Sequence, residues 1–397
     1  MVRVRALVCL SLVFVFSCIV APSFASNIRK ETENRAGEKK EAQNRRWLRR
    51  SAEIVAGMDR SVLAAQLILT AVDGRDLSSP TTALLNTIPT GGIMIFRYNI
   101  GRDPQKTKNF IAALEETIRA SSAVKPFVAA DQEGGTVQRF RGDAELPAPL
   151  SYWDRVQAGA GRQTVLEAVY ADAAAAGTAL RSFGVNLNLA PVVEILSGEN
   201  GRFLKTRSYG PEESFVKEAA GAFVRGMEEQ GIACTLKHFP GNSGADPHRR
   251  KAVLDISKSD LDRYISPFAS VIREDDPAAV MISHVIVPSW DSKPASLSSA
   301  ALAKLRSLGF RGIAIADDFT MAAAGAPAAV CAVEAVNAGV DMVMSWPGDL
   351  AAIHGALVKS LENGTLKEAR VREAAQRIIY QKLRYGLIPE AYSILEG

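Results

Sequence analysis

Asp246-Pro247-His248 sets a carboxylate two residues from an imidazole on a loop that Pro247 stiffens. Such a carboxylate can accept the N–H of one ring nitrogen, fix the tautomer and raise the basicity of the other nitrogen. That arrangement suits a proton shuttle near neutral pH. A shuttle needs a partner, and "GIAIADDFTM" brings two carboxylates, Asp317 and Asp318, to the end of an apolar run. Burying carboxylates without purpose is costly. Successive side chains of a strand point to opposite faces, so the two divide their roles. One faces a pocket while the other holds a loop or accepts backbone N–H groups. Taken alone, D-x-H is ordinary surface polarity; its weight depends on where the fold puts it.

A metal is the weaker reading of the same stretch, "KHFPGNSGADPHRR". His238 and His248 lie ten positions apart across a Gly/Pro loop, and no H-E-x-x-H spacing occurs. Cys234 and Cys331 sit in the apolar surroundings "GIACTL" and "AAVCAVEA" and read as buried thiols, although an oxidising compartment would permit a pair between them. Neither a metal nor an organic cofactor is called for.

The elements that must carry these residues come next. Short apolar runs recur: "LILTAVD", "GGIMIF", "FVAADQE", "VNLNLAPV", "ACTLKHF", "AAVMISHV", "GIAIADD" and "DMVMS". Alanine-rich segments with helical spacing lie between them, such as "TKNFIAALEETIRA" and "SFVKEAAGAFVRGMEEQG", and several end at glycine as a helix C-cap does. Near-continuous apolar strands alternating with helices predict parallel strands covered on both faces. A count of eight favours a closed (β/α)₈ barrel over an open sheet, and no strand runs into a G-x-G-x-x-G turn. The ionisable residues cluster where the runs end: Asp131 and Glu133, Lys237 and His238, His284, Asp317 and Asp318. In a barrel those ends form one rim, the seat of the active site in this fold.

The ordered set resembles the family 3 glycoside hydrolases, in particular their single-barrel β-N-acetylhexosaminidase branch, whose members remove terminal N-acetylglucosamine. The resemblance rests on "DQEGGTVQRF", "GVNLNLAPVVEI" with "RSYG", "KHFPG" with the following "DPH", "SH" in "VMISHVIVP", "PASLS" and "GIAIADDFTM", from about Met58 to Leu387. It implies a retaining exo-β-N-acetylglucosaminidase in which Asp317 is the nucleophile and His248, oriented by Asp246, is the acid/base. Asp131, Arg207, Lys237 and His238 are implied as the clasp on the terminal sugar. Glu133, His284, Asp318 and Met321 are left as supporting residues; a core role for His284, a packing role for Met321 and a structural salt bridge for Arg207 stay open. His354, in "AAIHGALVKS", reads as structural. Muropeptides or chitin-type oligosaccharides are the implied substrates. A β-glucosidase of the same family, phosphorolysis in place of hydrolysis, and an inactive envelope sugar-binding protein are the alternatives.

Departures from the branch pattern are concentrated in the loop after "KHFPG". "NSGA" makes it two residues shorter, with Asn242 at the usual histidine and no early aspartate. Thr136 replaces an arginine in the Gly-Gly segment, and Glu194 stands for the common aspartate.

The remainder of the chain bounds its setting. "MVRVR" followed by "ALVCLSLVFVFSCIVAPSFAS" reads as a signal peptide over 1–25. A retained anchor stays open, as does a lipoprotein signal ending before Cys18, whose Phe16 fits the usual pattern poorly. Residues 26–50 are a charged tether and 51–397 the catalytic domain. The expected location is the periplasm or cell envelope. A formal charge of +4 without a basic, aromatic-interleaved stripe argues against a nucleic-acid partner. The runs "KLRYGL" and "HRRK" read as solvated surface, and the sequence leaves oligomeric state open.

Overall fold

The computed structural model describes residues 35, 37–245, 251–320 and 325–389. Residues 1–50 and 51–397 are two compact units. In the first, residues 37–50 are helical and largely exposed, as expected of a charged stretch that cannot fill a core. The signal segment and Cys18 lie outside the described residues. Among the described residues no helix is long and apolar enough to cross a membrane.

Among its described residues the second unit has twelve strands: β1 (Ile68–Ala71), β2 (Gly92–Met94), β3 (Phe127–Ala130), β4 (Gln132–Gly134), β5 (Val137–Gln138), β6 (Leu187–Asn188), β7 (Ala233–Phe239), β8 (Ala252–Val253), β9 (Ala279–Ile282), β10 (Val285–Ile286), β11 (Ile313–Ala316) and β12 (Val343–Ser345). Eight of them form one parallel sheet in the order β11-β9-β7-β6-β3-β2-β1-β12. A parallel bridge between Ile315 and Met342 joins its two ends, with Ala316 N–H donating to the Met342 carbonyl at 2.9 Å. The result is a (β/α)₈ barrel, and the eight apolar runs of the sequence are its eight strands. β1, β3, β7, β9 and β11 are buried along their whole length, as strands covered inside and outside must be.

Helices return the chain between strands. Pro104–Ser122 starts with Asp103 accepting the Gln105 N–H at 2.9 Å and proline in the first turn. Arg162–Ser182 and Glu213–Glu229 pack side by side; each is followed by a glycine at positive φ, Gly184 at 92° and Gly231 at 74°. Two small pairs add to the barrel: the antiparallel β4–β5 hairpin after β3, and β8 with β10.

One surface reading is corrected. Lys382, in "KLRYGL", is fully buried, because it shares the inward face of helix Glu368–Arg384 with Ile378 and Ile379. Its Nζ donates to Gln66 Oε1 at 2.8 Å and lies 5.7 Å from the Phe127 ring centre. Of "HRRK", only Lys251 is described, and it is exposed. Cys234 and Cys331 are both buried free thiols.

Candidate active site

The C-terminal ends of the strands supply the site. Asp131 follows β3 directly, and Lys237 and His238 lie among the last three residues of β7. His284 follows β9, and Asp317 and Asp318 follow β11. Residues more than a hundred positions apart thereby meet, Lys237 Nζ lying 2.8 Å from Asp131 Oδ1 and 2.6 Å from Glu133 Oε1.

These contacts belong to a continuous chain of charges. Arg139 Nη2 donates to Asp131 Oδ2 at 2.6 Å. Arg207 binds Glu133 through Nε and Nη2 at 2.7 and 2.8 Å, a bidentate fork. The order is Arg139–Asp131–Lys237–Glu133–Arg207, with cations alternating with carboxylates. Burial alone would raise the Asp131 carboxyl, but Lys237 and then Arg139 hold it well below the usual carboxylate range. Glu133 is likewise lowered: burial opposes ionisation, and Lys237 and Arg207 outweigh it. For Arg207, burial disfavours the charge, yet Glu133 lifts the guanidinium above its ordinary value. All three stay charged at neutral pH. Asp131 oxygens retain lone pairs beyond the two bonds described, and Lys237 has three donors for its two carboxylates, so the clasp keeps capacity for sugar hydroxyls.

Backbone geometry makes this arrangement accessible. Gly134 and Gly135 turn the β4–β5 hairpin at φ 104° and 56°, and a Cβ on Gly134 would lie 2.1 Å from the Pro147 carbonyl oxygen. Gln132 fixes the hairpin from within, donating to the Phe140 and Ala144 carbonyls and accepting the Arg139 and Phe140 N–H groups. Arg139 is therefore aimed at Asp131 by its own hairpin.

A second cluster surrounds His238. Its Nδ1 lies 2.7 Å from Glu194 Oε1; a carboxylate only accepts, so Nδ1 carries the proton and donates. Glu194 also accepts from Asn242, whose backbone N–H is 2.6 Å from Oε2 and whose Nδ2 is 2.8 Å from Oε1. With Glu194 buried, this locks the His238 ring and leaves Nε2 for a ligand.

At the end of β11 the two aspartates differ, as alternation requires. Asp317 is half-buried and has no ion pair among the described residues; its Oδ1 accepts the Asp318 N–H at 2.9 Å. Asp318 instead anchors its own loop, accepting from Thr320 N and Oγ1, both at 2.8 Å, and from Trp346 Nε1 at 2.7 Å. His284 donates through Nε2 to the Asp318 carbonyl at 2.9 Å, and its Nδ1 meets Ser296 Oγ at 2.7 Å. Its ring stacks on Phe319 at 5.3 Å. His284 is thus a buried support of this loop. His354 lies far along the chain on helix Leu350–Glu362, against the Ser61 carbonyl at 3.0 Å.

The sequence match settles the class of barrel. The model of the glycosyl hydrolase family 3 N-terminal domain matches residues 60–380. The chain belongs to glycosyl hydrolase family 3. A β-hexosaminidase of Stenotrophomonas maltophilia is 32% identical over 312 residues, covering 76% of this chain and 90% of that relative. Among solved structures, a family 3 β-N-acetylglucosaminidase from Paenibacillus superposes with a TM-score of 0.78 at 29% identity. The superposition covers 86% of this chain and 65% of the Paenibacillus one. NagZ from Neisseria gonorrhoeae, solved in complex with N-trifluoroacetyl-D-glucosamine, superposes at 0.66 with 27% identity, covering 79% of this chain and 89% of NagZ.

Within this family 3 chain, Asp131, Glu133, Arg207 and Lys237 are one interlocked group, His238 adjoins it, and Asp318 and His284 support the strand end that carries Asp317. Asp246, His248 and Met321 lie outside the described residues. Three further residues belong with the site: Arg139, Glu194 and Asn242. Glu194 is visible as a charge in the otherwise apolar run "APVVEI", whereas Arg139 in "VQRF" has no such signal. Thr136, at the hairpin tip, is exposed. Among the described residues no group of three or more His, Cys, Asp or Glu is gathered to hold a metal.

Proposed function

We propose that this protein is a retaining exo-β-N-acetylglucosaminidase acting on the non-reducing end of muropeptides or chitin-type oligosaccharides. The observation that carries the reading is the charged clasp Arg139–Asp131–Lys237–Glu133–Arg207, on the same barrel rim as Asp317, in a chain whose relatives are named for β-hexosaminidase activity. The clasp takes the hydroxyls of the terminal sugar, and His238 Nε2 accepts one more. Asp317 attacks the anomeric carbon and forms a glycosyl ester as the glycosidic bond breaks. His248, oriented by Asp246, gives its proton to the departing oxygen. The same imidazole then takes a proton from water, whose oxygen displaces Asp317 from the opposite side. Two displacements leave the anomeric configuration unchanged. The basic and apolar first residues support export, with the periplasm or cell envelope as the place of action.

The test uses the chain without residues 1–25 and a chromogenic N-acetyl-β-glucosaminide, with the matching β-glucoside beside it. Turnover of the acetamido sugar is expected, falling by ~10³-fold or more in Asp317→Asn. His248→Ala should slow it strongly and restore part of the rate when azide is added. Preference for the plain glucoside would move the protein to the β-glucosidase class. Saccharide binding without turnover would make it a sugar-binding protein.

A further inference from the structure

Trp346 is the first residue beyond β12, and the chain holds it from every side. Its carbonyl accepts from Asp349 N, Leu350 N and Ser345 Oγ at 3.0, 3.1 and 3.0 Å. The indole is half-buried, and its ring stacks on Phe96 at 5.0 Å between centres and 19° between planes. Phe96, two residues beyond the end of β2, in turn carries the Arg139 guanidinium 5.2 Å from its ring centre. One stack therefore joins the chain beyond β2 to the chain beyond β12, the two strands that flank β1, and abuts the cation that grips Asp131.

The polar edge of the same indole reaches the other half of the site. Trp346 Nε1 donates to Asp318 Oδ2 at 2.7 Å, while Thr320 supplies the remaining described donors to that carboxylate. The Asp318 N–H then donates to Asp317 Oδ1 at 2.9 Å, and the Asp317 N–H donates to the Ile282 carbonyl at 3.0 Å. Asp317 is thus held by a donor whose own residue is pinned from β12. Thr320 lies two residues from Asp318 on the same loop; Trp346 is anchored beyond the end of β12.

We infer that Trp346 is a positioning residue for the Asp317 carboxylate, acting through Asp318, and that its stack on Phe96 keeps this arm in register with the Arg139–Asp131 clasp. The inference rests on the glycosidase reading for its kinetic consequence. Nucleophilic displacement needs the attacking oxygen placed to a fraction of an ångström, and a displacement of about 1 Å costs on the order of a hundredfold. A stacked aromatic without the N–H would keep the wall and release the arm.

Trp346→Phe separates the two. Steady-state kinetics on the best N-acetylglucosaminide should show kcat lowered by ~10–100-fold with KM within about twofold. Amide exchange at Asp318, followed by NMR in wild type and variant, should be at least ~10-fold faster in the variant, because loss of the anchor frees the Asp318 N–H from Asp317. The melting temperature should hardly move, since the ring stack survives. Unchanged kcat together with unchanged Asp318 exchange would overturn the positioning role and leave the glycosidase reading intact. Faster exchange in a protein whose wild type hydrolyses no N-acetylglucosaminide would sustain the positioning and sink the activity instead. A KM rise at constant kcat would assign Trp346 to substrate contact, against the inference.

Discussion

Lys237 carries more of the site than its single charge suggests. It is 2% exposed and bridges two buried carboxylates, Asp131 and Glu133. Replacing it with methionine leaves both without their shared cation in a medium that solvates charge poorly. A loss of about 3–5 kcal/mol is expected, the range found when one partner of a buried pair is removed. The sign of the pH dependence follows from the lowered carboxyls. Their stabilisation is fully present above the ordinary carboxylate range and is lost as pH falls from that range down through the lowered folded values. Lys237→Met should therefore unfold at a higher pH on acidification than wild type, measurable by circular dichroism against pH; coincident acid limbs would show that Lys237 does not hold these carboxyls ionised. Arg207→Lys loses the two-pronged grip on Glu133, and KM for the terminal sugar should rise several-fold with little change in kcat. At this scale the sequence was informative about residue type and place. Asp131, Lys237 and His238 stand out as charges at strand ends and Arg207 through the family resemblance, but side-chain partners depend on three-dimensional approach, so their binding to one another was not readable. Arg139 was missed because one arginine in "VQRF" has no periodicity to mark it.

The β4–β5 hairpin shows what an element contributes that no single residue does. It delivers Glu133 and Arg139 to either side of Asp131 and Lys237, and it can do so only because Gly134 adopts φ 104° against the Pro147 carbonyl. Gly134→Ala meets both a disfavoured backbone region and a backbone atom that cannot yield. A cost of about 2–4 kcal/mol and a raised KM are expected together. Gly142→Ala provides the control: φ is also positive, at 71°, but nothing lies within 4 Å of the added carbon. It should cost only about 1 kcal/mol and leave KM alone. Equal melting temperatures for the two variants would show that the close approach to Pro147 does not matter. The barrel strands were legible because each is an apolar run long enough to register against its polar flanks. β4, β5, β8 and β10 were not, since these two small pairs lie outside the barrel sheet and are set by which segments meet in space. The paired glycines in "DQEGGTVQRF" marked a turn, yet nothing local said that the turn would hold up a charged clasp.

Across the whole molecule the barrel has one polar rim and one closed end, and Lys382 is the exception that tests this division. Near the starts of β1 and β3 its ammonium is enclosed by Gln66 and the Phe127 ring. Burial pushes the group down to about 7 from its ordinary 10.5. The folded state therefore binds this proton less tightly than the unfolded chain does. Stability from this group is complete above the unfolded value and declines as pH falls from about 10.5 toward 7, so wild-type stability should rise with pH across that window. Lys382→Met removes the charge but leaves Gln66 Oε1 without its donor, which costs about 1–3 kcal/mol in return. The variant should still gain about 1–3 kcal/mol over wild type at pH 6, the net of the two effects. Denaturant unfolding at pH 6 and pH 9.5 decides the matter: the advantage must shrink at the higher pH, where the wild-type amine is neutral as well. An advantage of the same size at both values would mean that the lysine is accommodated as a cation and that packing alone separates the two proteins. Sequence reading put Lys382 at the surface because lysine belongs there by composition; only the closing of the barrel by its last helix turns that position inward.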